Sequence, residues 1–141
     1  MHLSPESHAH HLSPAQIDWV MRAFGEREGF FIATAELPKG LGELSSGLYG
    51  PIVGDRPVSD AEARYETRAG RAWPSRLVRR PSRPTRVVTV IGGPDAAGRT
   101  VLYTAYGGPA APREPGDPSL EGDAAALAES TAFWREHALA E

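Results

Sequence analysis

Ile17, Val20, Met21 and Phe24 recur at the i, i+3, i+4, i+7 spacing of one helical face. Ser13 stands before them as an N-cap, with Pro14 at the first helical position and Gln16 three residues after the cap, and Gly25 follows as a stop. The pattern predicts a helix over 13–25 that lies on a core. GFFIATAEL (29–37) is a short apolar run closed by Pro38 and predicts a buried strand. TRVVTVI (85–91) and TVLYTAY (100–106) are the strongest strand signals, with GGPDAAGR between them as a long hairpin loop. On alternation, Val87, Thr89 and Ile91 share a face of their strand, as do Leu102, Thr104 and Tyr106 of theirs. Asp123 can cap a last helix, in which Leu127, Thr131, Trp134 and Ala138 repeat at spacings of 4, 3 and 4.

Between these elements the periodicity stops. Residues 38–57 carry glycine at 40, 42, 47, 50 and 54 and read as a Gly/Pro-rich loop, laid over the core or serving a site. Residues 107–118 are a proline-stiffened connection, and residues 1–12 read as a disordered N-terminal tail. Helix, strand, loop, several strands, helix is the order of an α+β domain: a mainly antiparallel twisted sheet with an N-terminal and a C-terminal helix packed on it. One domain over 13–141 suits a chain of 141 residues.

Composition narrows the setting. The chain has no cysteine, so disulfides, thiolate zinc sites and a cysteine nucleophile are excluded. The opening MHLSPESHAHHLSP carries neither the charged nor the apolar region of a secretory signal, and no run approaches the ~18 apolar residues of a membrane span. A soluble, cytoplasmic protein without membrane contact is expected. The His8-x-His10-His11 group sits in a tail with no second shell to orient the rings, so neither metal nor other cofactor is expected.

Charge supplies the one strong asymmetry. Eight arginines against the single acid Glu66 give residues 64–86 a charge of +7 in a chain of net charge −3, leaving −10 to the rest. Pro74, Pro81 and Pro84 preclude a continuous basic helix. The segment therefore reads as a strand through 63–69, with Arg64, Glu66 and Arg68 on one face, followed by rigid loops. Guanidinium is permanently charged and can grip two phosphate oxygens in a planar fork, and interleaved aromatics can stack unpaired bases. A phosphate-bearing ligand, RNA above all, is the class these residues point to. Arg64, Arg71, Arg76, Arg79 and Arg86 are candidate phosphate contacts, with Tyr103 and Tyr106 as candidate stacking or hydrogen-bonding partners.

A leading helix, arginines on the strands and a closing TRVVTVI…VLYTAY hairpin resemble the small metal-independent ribonucleases of the barnase, EndoU, colicin and RelE-like group, many of them toxins. The resemblance covers residues 60–106. The barnase and EndoU branches rely on histidine, whereas here every histidine lies at 2, 8, 10, 11 or 137. What the resemblance implies is the other style, in which Glu66 takes the proton from a ribose 2′-OH and Arg68 stabilises charge on the phosphate. It also implies an acidic inhibitor protein as a partner. Read from the residues alone, Glu66 is equally an ion-pair partner of Arg64 or Arg68, and His137 a cation favoured by the last turn of its helix. Two other functions stay open: a noncatalytic module binding RNA, a nucleotide or a partner protein, and a small-molecule enzyme holding an anionic substrate under the 38–57 loop.

Overall fold

The structure is a computed structural model, and it describes residues 1–9, 11–25, 27–46, 65–67, 74–76 and 83–137, of which 65–67, 74–76, 135 and 136 are described by their backbone alone. The chain divides into two compact units, Met1–Gly47 with Arg83–Ala110, and Leu48–Ser82 with Ala111–Glu141. Helices at both ends and antiparallel strands between them make it α+β.

In the first unit, α1 (Pro14–Phe24) begins as expected. Ser13 Oγ accepts from the Gln16 backbone N–H at 3.2 Å, and Gln16 Oε1 accepts from the Ser13 N–H at 2.8 Å, which satisfies two orphan donors of the first turn. Gln16 is nevertheless buried, and its amide nitrogen donates to the Leu41 carbonyl at 2.9 Å. Val20 and Phe24 are buried at the centre of the helix face, with Ile17, Trp19 and Met21 packed around them. Burying side chains of this kind stabilises the fold by about 1.5–3 kcal/mol each.

That face rests on a three-stranded antiparallel sheet in the order β1 (Phe31–Glu36), β6 (Val87–Pro94), β7 (Thr100–Gly107). Ala33 pairs with Val90 and Ala35 with Val88, and Val90 pairs onward with Ala105, so these residues form one face of the sheet under α1. Thr34, Thr89 and Tyr106 align on the opposite face. Thr89 is fully buried because its polar atom has partners: its hydroxyl donates to the Gly108 carbonyl at 2.7 Å and lies 3.1 Å from Thr34 Oγ1.

Several expectations are corrected. β1 is not buried throughout: its residues alternate between half-buried and exposed, and Phe30 just before it and Ile32 within it are exposed. It is a terminal strand of its sheet among the described residues, whereas β6 between two neighbours carries the continuous buried run Val88–Val90. The hairpin loop is shorter than GGPDAAGR, because Gly92–Pro94 continue β6 past a register shift at Ile91/Gly92. Gly92 marks a close approach rather than a turn, since a Cβ there would lie 2.7 Å from the Phe31 ring.

Of residues 1–12, expected to be without structure, the stretch 1–9 runs beside β7. His2 N–H donates to Thr100 O at 2.8 Å, Leu102 N–H to His2 O at 2.9 Å, His8 N–H to Tyr103 O at 2.9 Å and Ala105 N–H to His8 O at 3.1 Å. Ala9 and Leu12 then enter the core. A strand edge leaves a row of backbone groups wanting partners, and almost any sequence can supply them. The segment therefore has order without periodicity. Of the 38–57 loop, Lys39–Leu41 forms one 3-10 turn and β2 (Leu44–Ser45) pairs with β5 (Pro84–Thr85); residues 47–57 lie outside the described residues.

In the second unit, β3 (Tyr65–Thr67) and β4 (Pro74–Arg76) pair antiparallel. The WPSR stretch was expected as loop, yet Pro74–Arg76 is strand. Pro74 opens it, the position where a missing N–H is tolerated. α2 (Ala124–His137) is capped by Asp123, whose Oδ1 accepts from the Ala126 N–H at 3.0 Å. Among its described side chains the buried ones are Ser130 and Trp134, while Leu127, expected on the apolar stripe, is exposed. Two polar anchors set this rotation: Ser130 Oγ donates to Arg113 O at 2.5 Å and Trp134 Nε1 to Pro112 O at 3.1 Å. His137 lies 4.4 Å ring to ring from Phe133, one turn earlier.

Candidate functional site

The sequence-derived site is divided between the two units. In the second, the β3–β4 register sets Arg76 opposite Tyr65 and Glu66 opposite Ser75. Within the basic segment, residues 65–67 are thereby set beside residues 74–76. Arg64, Arg68, Arg71 and Arg79 lie outside the described residues, as does the expected shared face of Arg64, Glu66 and Arg68.

Arg86, Tyr103 and Tyr106 belong to the first unit. Arg86 leads into β6 and its guanidinium is paired with Glu36 on β1, so its charge is balanced within the sheet. Tyr106 is half-buried opposite Thr89. Tyr103 is more open: its hydroxyl donates to Pro94 O at 2.7 Å, and its ring lies 6.4 Å from that of Phe30. A Cβ at Gly93 would meet the Tyr103 hydroxyl at 2.8 Å, so the ring lies close over this strand residue.

Beside this tyrosine the chain forms two clefts that share Pro94 and Arg99. One, of about 650 Å³, is bounded by Ser4–Glu6, His8, the hairpin tip and Tyr103. The other, of about 610 Å³, is bounded by His2, Arg27–Gly29 and Gly98–Thr100. Both depend on the conformation of the tip. Asp95 accepts from the Ala97 N–H at 2.9 Å, the Arg99 N–H at 2.8 Å and Arg99 Nε at 2.9 Å, and Gly98 takes the positive φ that the turn requires. The Arg99 backbone N–H holds the Asp95 carboxyl below the ordinary carboxylate range; partial desolvation opposes this, and the Arg99 side chain and Ala97 N–H add to it.

A depressed folded pKa makes this contribution complete above the unfolded carboxylate's pKa and lost as pH falls through the lower folded value. Asp95→Asn is accordingly expected to speed hydrogen exchange of the Ala97 and Arg99 amides at neutral pH and to remove the acid-dependent opening of the tip. Exchange rates unchanged from those of the unaltered chain would refute this account of the loop.

The arginines of the clefts, Arg27 and Arg99, fall outside the basic block, and sequence reading missed them. Nothing in their spacing signals convergence, because three separate segments must meet to produce it. The one local sign was Asp95 four residues before Arg99 across Gly98, a self-bonding turn. Among the described residues no group of three or more His, Cys, Asp or Glu side chains could hold a metal ion, and no helix is long and apolar enough to cross a membrane. No family model, curated protein or solved structure matches the chain.

Proposed function

We propose that the protein binds a phosphate-bearing ligand through its arginine-rich hairpin, with single-stranded RNA as the preferred class. The observation that carries this reading is the antiparallel pairing of Tyr65–Thr67 with Pro74–Arg76. It sets Arg76 in register with Tyr65, and the two strands lie within the stretch 64–86, whose residues sum to +7. The acidic remainder of the chain would confine an anionic polymer to this segment.

Fluorescence anisotropy with a single-stranded oligoribonucleotide over a range of salt concentrations tests the reading. Each phosphate neutralised contributes about −0.7 to the slope of log affinity against log salt. Arg76→Ala is expected to weaken binding and to flatten the slope by about that much. Absence of binding at low salt would end the proposal.

The same mixtures separate a binding module from a ribonuclease. In the cleaving version the Glu66 carboxylate takes the proton of a 2′-OH, whose oxygen attacks the adjacent phosphorus. The 5′-oxygen leaves and takes a proton from water, giving a cyclic phosphate end. Metal-free scission that is lost in Glu66→Gln while binding persists would assign that role; binding without scission assigns the noncatalytic one.

A further inference from the structure

The first unit carries a second arginine-lined site, built differently from the arginine block and with the Arg99 charge shared by Asp95. Arg27, just beyond the end of α1, is held by Nε donating to the Phe24 carbonyl at 3.2 Å. Its guanidinium carbon lies 5.7 Å from the Phe24 ring centroid and 5.1 Å from that of Phe31. Arg99, at the other side of the cleft, is held by Asp95: Nε donates to Oδ2 at 2.9 Å and Nη2 lies 2.8 Å from the same oxygen. Arg27 is held through Nε and Arg99 through Nε and Nη2, which leaves further N–H donors of each fork for another partner.

Thr100 brings the two together. Its hydroxyl donates to the Arg27 carbonyl at 2.5 Å and its carbonyl accepts from the His2 N–H at 2.8 Å. One buried threonine next to Arg99 thus pins the backbone of both other basic residues. The floor is open, since a Cβ added at Gly29 or Gly98 would meet nothing within 4 Å. Among the lining side chains are two arginines, a histidine and a single acid, Glu28.

We propose that this cleft of about 610 Å³, bounded by His2, Arg27 and Arg99, binds a small phosphate monoester, independently of the arginine block. Two pre-positioned guanidiniums suit a dianion with three terminal oxygens. A carboxylate, with one charge and two oxygens, offers two guanidiniums less than a phosphate dianion with three. The cleft has room for an ester group beyond the phosphate, against Pro94 and the glycine floor. Because both arginines are already held by protein contacts, little side-chain freedom is lost on binding. Glu28 opposes an anion at the rim, so its removal tightens binding.

The test is a titration of the isotopically labelled full chain with phenyl phosphate, followed by amide chemical shifts, with benzoate as the comparison. Shifts are expected at Gly29, Gly98, Arg99 and Thr100. Arg27→Gln and Arg99→Gln should each weaken binding about tenfold, the loss of one charge-assisted contact, and Glu28→Gln should strengthen it. Benzoate binding as tightly as phenyl phosphate, shifts confined to residues outside the cleft, or unchanged affinity in both arginine variants would each overturn the proposal. The shift map uses the unaltered chain, so it decides even if a variant fails to fold. An oligoribonucleotide that shifts Tyr65–Thr67 and Pro74–Arg76 reports on the hairpin separately, so either site can fail alone.

Discussion

Leu102→Ala is expected to remove about 2–5 kcal/mol of folding stability, the range for truncating a buried leucine where the surroundings cannot collapse into the space. Leu102 is 1% exposed and sits among Val20 and Phe24 of α1 and Val88 and Val90 of β6. The neighbouring chain has little freedom to close the gap. Leu102 N–H is bonded to His2 O and Leu102 O accepts from Ser7 Oγ at 2.5 Å, which holds the β7 backbone in place. A domain of this size has about 5–15 kcal/mol in all, so the variant should unfold at a clearly lower denaturant concentration. Ile32→Ala on β1 supplies the internal comparison: Ile32 is 50% exposed, and its truncation should cost much less. Equal losses in urea unfolding would mean that the buried face of the sheet has been misassigned.

Gly107→Val is the second large effect. A Cβ at Gly107 would lie 2.4 Å from Ser45 O and 3.0 Å from Leu44 Cβ. The obstacle is backbone, not the end of a flexible side chain, so β2 must move off β7. Overpacking of this kind costs about 1–3 kcal/mol, and the upper end is expected because the Ser46–Gly107 bridge goes with it. Leu44, buried in the core, would be drawn outward in the same movement. Gly40→Ala is the control, since Gly40 has ordinary backbone and no atom within 4 Å of an added Cβ. If calorimetry finds both variants equally mild, β2 does not lie on β7 as described.

The helix at 13–25 was legible because its signals are local. A cap, an N1 proline, a capping-box glutamine and an apolar stripe all act within one turn or two, and each behaves in the structure as its chemistry requires. The β6–β7 hairpin was legible for the same reason, although its glycines misled. Gly92 and Gly93 read as turn residues but serve close packing against Phe31 and Tyr103. A missing side chain answers either need, and sequence does not distinguish them.

The candidate site was only partly legible. The charge of the 64–86 segment follows from composition, but its return as paired strands depended on Pro74 opening β4, where proline had suggested loop. Arg86 looked like a member of that block and is instead balanced by Glu36, fifty positions earlier, because β1 and β6 are neighbours. For Arg27 and Arg99 the sequence offered only the Asp95–Arg99 turn, and nothing that announced their meeting. Their meeting rests on one threonine bonded to a carbonyl seventy-three positions away.

The amino-acid sequence by itself determined the α+β class, both helix starts, the central hairpin and the uneven charge, since caps, periodicity and composition operate over a few residues. Only the tertiary structure shows that residues 1–9 lie along β7, that α2 buries Ser130 and Trp134 rather than Leu127, and that His2, Arg27 and Arg99 surround one cleft. Each of these depends on backbone carbonyls or strand edges finding donors far along the chain. Every residue carries those groups, so no pattern of side chains announces them.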